Sequence, residues 1–209
     1  GELLLSAIDP FVLGNKGSAL IHEMLHNLGA RFNGRPRHIP AALDRNGTVV
    51  HALLSGTYAG GSMDEVMARD YLAGRYWGAM DSNEEGFWNF ETMNLKGEQK
   101  DCAVYLSFWL FSPRSLVNLL LEPNMPRLDL EFAADDKLAV YVNGNLLDNA
   151  VKRQDNPALP QRIEGIPLEK GWNHVLLKVG QLWGGWNGRF RFTATDPAYM
   201  RQLESVIMQ

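Results

Sequence analysis

The sequence predicts a mainly β protein: an antiparallel jelly-roll β-sandwich with an N-terminal helical segment and a short C-terminal helix. Three observations carry that expectation. From about residue 49 to 195, short strand-like runs follow one another with turn signals between them and no interleaved helical pattern. Val104-Tyr105-Leu106-Ser107-Phe108-Trp109-Leu110-Phe111 is a nearly continuous aliphatic and aromatic run, as expected of a strand buried on both faces. Asn143-Gly144, set between apolar runs, is the strongest hairpin signal in the chain.

Taken in order, the first element is a helix over Gly17 to Gly29. Leu20 or Ile21, Met24, Leu25 and Leu28 recur three and four apart and make one apolar stripe, and Gly29 is a suitable stop. Phe32 to Pro40, with two prolines and several basic or imidazole side chains, is loop chemistry. Ser112-Pro113 ends the long apolar strand. Leu116 to Leu121 follows, and Pro123 and Pro126 mark a loop. Leu128 to Phe132 and Leu138 to Val142 alternate with period two, with Asp135-Asp136 at a tight connection between them. Val175 to Val179 and Arg189 to Phe192 supply two further strands, joined through Gly184-Gly185 and Asn187-Gly188. Ala198 to Met208 reads as a terminal helix. The organisation expected is a helical segment over 1–48, possibly the end of a preceding domain, a sandwich over 49–195 and a C-terminal helix over 196–209.

Composition bounds the function. The 209 residues are 45% hydrophobic and 21% charged, ordinary globular values that exclude a disordered or low-complexity chain. A chain of this length buries about 70% of its unfolded surface and needs no covalent staple. Twenty Lys and Arg against 24 Asp and Glu give a net charge of −4 with no basic block, which argues against a nucleic-acid groove or a polybasic membrane anchor. No apolar stretch is long enough to span a bilayer, and Glu2 to Ile8 is too short for a signal-peptide core. The single cysteine, Cys102, excludes an intrachain disulfide and a CxxC site, and its strand setting suggests packing.

The β region also carries an ordered set of motifs: Phe111-Ser112-Pro113, Asp135-Asp136, Val140 to Gly144, Gly171-Trp172-Asn173, Leu176 to Val179, Gly184-Gly185-Trp186 and Arg189 to Phe192. Over about residues 49 to 195 this order resembles the β-sandwich accessory domains of secreted bacterial carbohydrate-active proteins, which are galactose-binding-like jelly rolls with a PA14-like pattern. The resemblance implies a non-catalytic carbohydrate-binding or scaffolding module, secreted or periplasmic, whose partners are a glycan or neighbouring domains of a larger protein. In the calcium-dependent PA14 lectins a consecutive Asp pair holds a calcium ion, and Asp135 and Asp136 match that pair. Lys137 stands where the family has Gly. The other reading of Asp135-Asp136 is a turn whose carboxylates accept backbone N–H groups. No cofactor is favoured; calcium and zinc are the two that motifs bring into question.

Sugar recognition needs an aromatic ring for the apolar face of a pyranose and polar groups for its hydroxyls. Trp183 and Trp186, in a Gly-rich loop, are candidate platforms, with Asn187, Arg189 and Asn143 as polar partners; either Trp reads also as core. Trp77, Trp109 and Trp172 read as core, and Trp88 as a cover for a sheet edge or a binding residue.

His22-Glu23-Met24-Leu25-His26 is an HExxH motif on the predicted helix. Histidines four apart share a helix face and can ligate zinc, and the intervening Glu23 can act as general base on a zinc-bound water. The continuation Asn27-Leu28-Gly29 resembles the metzincin pattern, but Phe32 stands at the third histidine's place. His38, His51 or Asp44 could complete the set, and the spacing selects none. Zincins also build a sheet-containing subdomain before this helix, and 21 residues precede His22. A structural helix, the end of a metallopeptidase domain and a metal site completed elsewhere are the readings left, so a zinc-dependent metallopeptidase is the alternative function. Ser55-Gly56 and Gly60-Gly61-Ser62 lack the Lys-Ser/Thr of a phosphate loop, and Glu84-Glu85 would not converge on one bond. Asn46-Gly47-Thr48 reads as a glycosylation pattern or as a turn.

Overall fold

The fold was determined as a computed structural model describing residues 40–59, 77–93, 95, 101–117, 125–147, 152–154, 160–182 and 184–207. These residues form two antiparallel sheets facing each other across one core. In chain order the strands are β1 (His51–Ser55), β2 (Tyr58–Ala59), β3 (Trp77–Asp81), β4 (Phe87–Asn89), β5 (Cys102–Ser112), β6 (Leu128–Ala134), β7 (Asp136–Val142), β8 (Asn145–Leu146), β9 (Lys152–Gln154), β10 (Gln161–Ile163), β11 (Gly171–Gln181) and β12 (Asn187–Ala194), followed by helix α1 (Pro197–Met200) and β13 (Glu204–Val206). The larger sheet runs β3-β1-β5-β11-β7-β8, with β2 and β13 also on β5 and β9 on β7; the smaller runs β10-β6-β12-β4.

The apolar run 104–111 lies within β5 at the heart of the larger sheet, as expected. β5 pairs with β11 along its whole length, from Ser112↔Gly171 to Cys102↔Gln181. Its other edge is shared by three short strands: β2 at Cys102 and Ala103, β1 at Leu106 and Ser107, and β13 at Trp109 to Phe111. Val104, Leu106, Phe108 and Leu110 turn inward onto the core. Tyr105 points the other way, into a second apolar cluster with Tyr58, Ala139, Tyr141 and Leu176. This double burial is why the strand reads as continuous rather than alternating. Cys102 is buried, as packing predicts.

In the smaller sheet the pattern is strict. Phe190 and Phe192 of β12 are fully buried and Phe192 meets Phe108 of the opposite sheet at 6.1 Å, while Arg189 and Arg191 are exposed. The period of two along a strand thus separates core from surface residue by residue.

Two connections matter for the site. Asp135 is not a hairpin tip but a corner: β6 ends at Ala134 in the smaller sheet, and β7 starts at Asp136 in the larger. Asn143-Gly144 is the hairpin expected, joining β7 to β8, with φ of 51° and 80° at its two residues. Those values fit a two-residue turn with both residues left-handed.

The C-terminal region departs from expectation. The helix is a single turn capped by Asp196, whose carboxylate accepts the N–H of Ala198 at 2.8 Å. Residues 204–206 are not helical; they form β13 because the last stretch of the β5 edge offers unpaired backbone groups to which Glu204, Ser205 and Val206 bond. The helix expected over 17–29 lies outside the described residues. Among the described residues no helix is long and apolar enough to cross a membrane.

Candidate functional site

The outward face of the smaller sheet brings several of the expected residues together. Because side chains alternate along β12, Asn187, Arg189, Arg191 and Thr193 share the face opposite the core. Register then fixes their neighbours. Asn187 pairs with Asn89 of β4, and on its other side its carbonyl accepts the N–H of Asp135 at 3.0 Å. Arg189 lies between Phe87 of β4 and Ala133 of β6. Arg191 lies beside Glu131, which in turn pairs with Arg162 of β10. Thr193 lies beside Asp129. The result is a surface of amides, guanidinium groups, carboxylates and one half-buried aromatic ring, Phe87.

Beneath it the core is closed by aromatics. Trp88 is fully buried and donates its indole N–H to the carbonyl of Val49 at 2.9 Å; Phe90 stacks on it and meets Trp186 at 5.5 Å. These rings hold β4 against β12 and so set the spacing of the face above.

At the corner end the face turns acidic. A Cβ at Gly185 would lie 3.0 Å from Asp135 Oδ2 and 3.5 Å from Asn187 Nδ2, so the bare backbone of Gly185 lets the loop approach both side chains. Burial raises the Asp135 carboxyl above its ordinary range, and the charges of Asp136 and Glu91 add to that. Asp136 is committed to the loop: its Oδ2 accepts the N–H of Leu182 at 2.6 Å. Asn89 carries a shielded Oδ1 with no hydrogen-bond partner among the described residues.

At the other end a carboxylate is buried. Asp129 is fully buried on this face, and its two oxygens take Arg127 Nε at 2.9 Å, Arg162 Nη2 at 2.7 Å and the N–H of Gly165 at 2.8 Å. Bonding to Asp129 holds the Arg127 guanidinium more firmly charged than usual, with the Asp129 charge adding to it. The clamp ties β10 and the loop after it to β6.

The remaining expected residues fall elsewhere. Trp186 is 1% exposed and belongs to the core, because Asn187 takes the outward position and alternation sends its neighbour inward; this corrects the platform reading. Asn143 sits on the larger sheet's hairpin, away from this face. Its Oδ1 accepts the N–H of His174 and its Nδ2 donates to Asn173 Oδ1, both at 2.9 Å, so its amide braces a turn rather than presenting itself to a ligand. Trp183, His22, Glu23, His26 and His38 lie outside the described residues. His51 and Asp44 hold local structure. His51 Nδ1 bonds Asp81 at 2.6 Å, and Asp44 Oδ1 accepts the N–H groups of Asn46 and Thr48, both at 2.8 Å. Among the described residues no group of three His, Cys, Asp or Glu side chains is gathered to hold a metal ion, so Asp135 and Asp136 form a pair without a third such ligand. Trp109 and Trp172 are buried as expected.

Phe87, Asn89, Arg162 and Arg191 were not singled out as site residues. Arg191 could have been, since Arg-Phe-Arg-Phe marks both arginines as outward. The others reach the face through register with distant strands, which local pattern does not encode.

No family model matches the sequence, and no curated protein matches it. Solved structures do. The chain is similar to a GH2 β-galacturonidase from Eisenbergiella tayi (11% identity, TM-score 0.39, covering 67% of this chain and 23% of that one). It is similar also to a β-glucosidase from Kluyveromyces marxianus (14% identity, TM-score 0.41, 72% of this chain and 17% of that one). The PA14 domain of the MpAFP antifreeze protein matches at 10% identity and TM-score 0.40, over 76% of this chain and 92% of that domain. The chain thus spans less than a quarter of the length of the two enzymes it resembles.

Proposed function

We propose that this chain is a non-catalytic carbohydrate-binding module of a larger extracellular or periplasmic protein, and that it binds glycan on the outward face of the smaller sheet. The observation that carries the reading is the row along β12, where Asn187, Arg189 and Arg191 stand beside Phe87 and Asn89. Phe87 offers a surface for the C–H face of a sugar ring, and the amides and guanidinium groups offer donors for its hydroxyls. The row lies along the outward side of a sheet, at exposed and half-buried positions, which suits a polymer lying across it better than a small molecule enclosed by it. Binding energy comes from stacking and hydrogen bonds, with no bond made or broken.

A glycan array followed by calorimetry on the hits tests this. Phe87→Ala and Asn187→Ala are each expected to weaken the best ligand by about tenfold, the worth of one stacked ring or one well-placed hydrogen bond, while melting temperature changes little. Hits whose affinity neither substitution alters would move the site off this face.

The alternative is a zinc hydrolase built on His22, Glu23 and His26. Metal content separates the two. The module reading expects no stoichiometric zinc in protein purified at neutral pH, whereas one equivalent that disappears in His26→Ala would overturn it.

A further inference from the structure

The charge distribution along β12 bears on which class of sugar the face selects. Among the described residues four guanidinium groups stand on this face, and three are tethered. Arg127 bonds Asp129 at 2.9 Å and Glu164 at 3.3 Å. Arg162 bonds Asp129 at 2.7 Å and approaches Glu131 at 3.9 Å, and Arg191 approaches Glu131 from the other side at 3.9 Å. Arg189 makes no ion pair among the described residues. Its neighbours across the sheet explain why: Ala133 is too short and uncharged, and Phe87 has no charge.

A solvated surface arginine needs no partner, so its being unpaired is not by itself a signal. The surroundings are. Phe87 stands directly across from it, Arg191 follows two residues along on the same face, and Asn187 precedes it by two. Residues two apart on a strand are about 7 Å apart, close to the size of one sugar ring. Charge is uneven along the face: at the Asn187 end Asp135 feels the charges of Asp136 and Glu91, whereas at the Arg191 end the guanidinium groups of Arg127, Arg162 and Arg191 are balanced by Asp129, Glu131 and Glu164, which leaves Arg189 as the unbalanced cation of the row among the described residues.

We propose that this face selects a glycan bearing carboxylates, with one sugar carboxylate held on the guanidinium fork of Arg189, the ring against Phe87, and neutral hydroxyls toward Asn187. This rests on the glycan-binding reading. A planar carboxylate matches the two parallel N–H donors of an arginine, and such charge-assisted pairs are roughly twice as strong as neutral hydrogen bonds. Repulsion from Asp135 and Glu91 sets the orientation, since an acidic group laid at the Asn187 end would meet like charge.

The test is calorimetry on the full chain with an oligoglucuronate and with the neutral glucan made from it by carboxyl reduction, which differ only in the charged group. The wild type is expected to bind the acid at least about tenfold more tightly, with a preference that shrinks as salt is raised. Arg189→Ala is expected to erase the preference, bringing the acid down to the affinity of the neutral glucan, while the neutral glucan, which loses only one hydroxyl donor, weakens much less. Arg189→Lys keeps the charge without the fork and should retain part of the preference. Asp135→Asn is expected to strengthen acid binding. A merely structural role for Arg189 would instead lower both affinities together. Equal wild-type affinity for the two sugars, or a preference that survives Arg189→Ala, overturns the proposal. Failure to bind either sugar, with no hit on the array, overturns the glycan-binding reading and this inference with it.

Discussion

His174 shows what a single residue does when the fold leaves it little access to water. It lies in the middle of the β5–β11 ladder opposite Trp109, with its ring 5.0 Å from that indole and its Nε2 bonded to Ser107 Oγ at 2.8 Å. Burial lowers its pKa to about 4. The unfolded chain therefore takes up a proton on this residue near pH 6.5 that the folded chain refuses until about pH 4. Stability should be complete above the unfolded value and fall as pH drops through that window, by up to about 3 kcal/mol. Urea unfolding between pH 7 and pH 4.5 measures it. His174→Leu should flatten the slope over this range, and an unchanged slope would assign the loss to other groups. The other instructive residue is Trp186. Its position next to outward Asn187 decides that it is core, and its indole N–H is left without a hydrogen-bond partner among the described residues. A Trp in a Gly-rich loop reads equally as platform or plug until the register of the next strand is known.

At the scale of elements, alternation carried most of what was legible. Arg189-Phe190-Arg191-Phe192 and Leu128-Asp129-Leu130-Glu131-Phe132 each disclose which face is wet, and the all-apolar 104–111 run discloses a strand covered on both sides. Turn chemistry was legible at Asn143-Gly144 as well, because left-handed backbone at two successive residues leaves few alternatives. Pairing partners were not legible. Nothing near Arg189 in the chain says that Phe87 is its neighbour, or that Asp135 turns a corner between sheets instead of closing a hairpin. Nor does sequence alternation announce that Asp129, formally an outward position, is fully buried: two arginines and the loop at Gly165 close over it. The clamp makes a prediction at this scale. Asp129→Ala removes the acceptor shared by Arg127, Arg162 and Gly165 and should cost about 1–3 kcal/mol, with both guanidinium groups free to turn to water. Hydrogen exchange should show the loss first in β10 and the loop after it, and uniform weakening of the whole sandwich would contradict that local role.

For the molecule as a whole, the two sheets share one core in which aromatics from both sides interlock, and the connection at Asp135 makes the smaller sheet's β6 continuous with the larger sheet's β7. The corner, the outward face of the smaller sheet and the Gly184–Asn187 loop are thus parts of one packed body. A second consequence follows from the edge of β5 that β2, β1 and β13 divide among themselves. Eleven residues, nearly all buried, would form an adhesive template if that flank were bare. The last three pairings depend on β13, contributed by the tail of the chain. Clipping the polypeptide after Arg201 should uncover the Trp109–Phe111 flank and turn a monodisperse solution into one that scatters light and binds amyloid dyes, while an unclipped control stays clear. By that prediction, residues 204 to 206 would guard the long strand's flank against pairing with another copy.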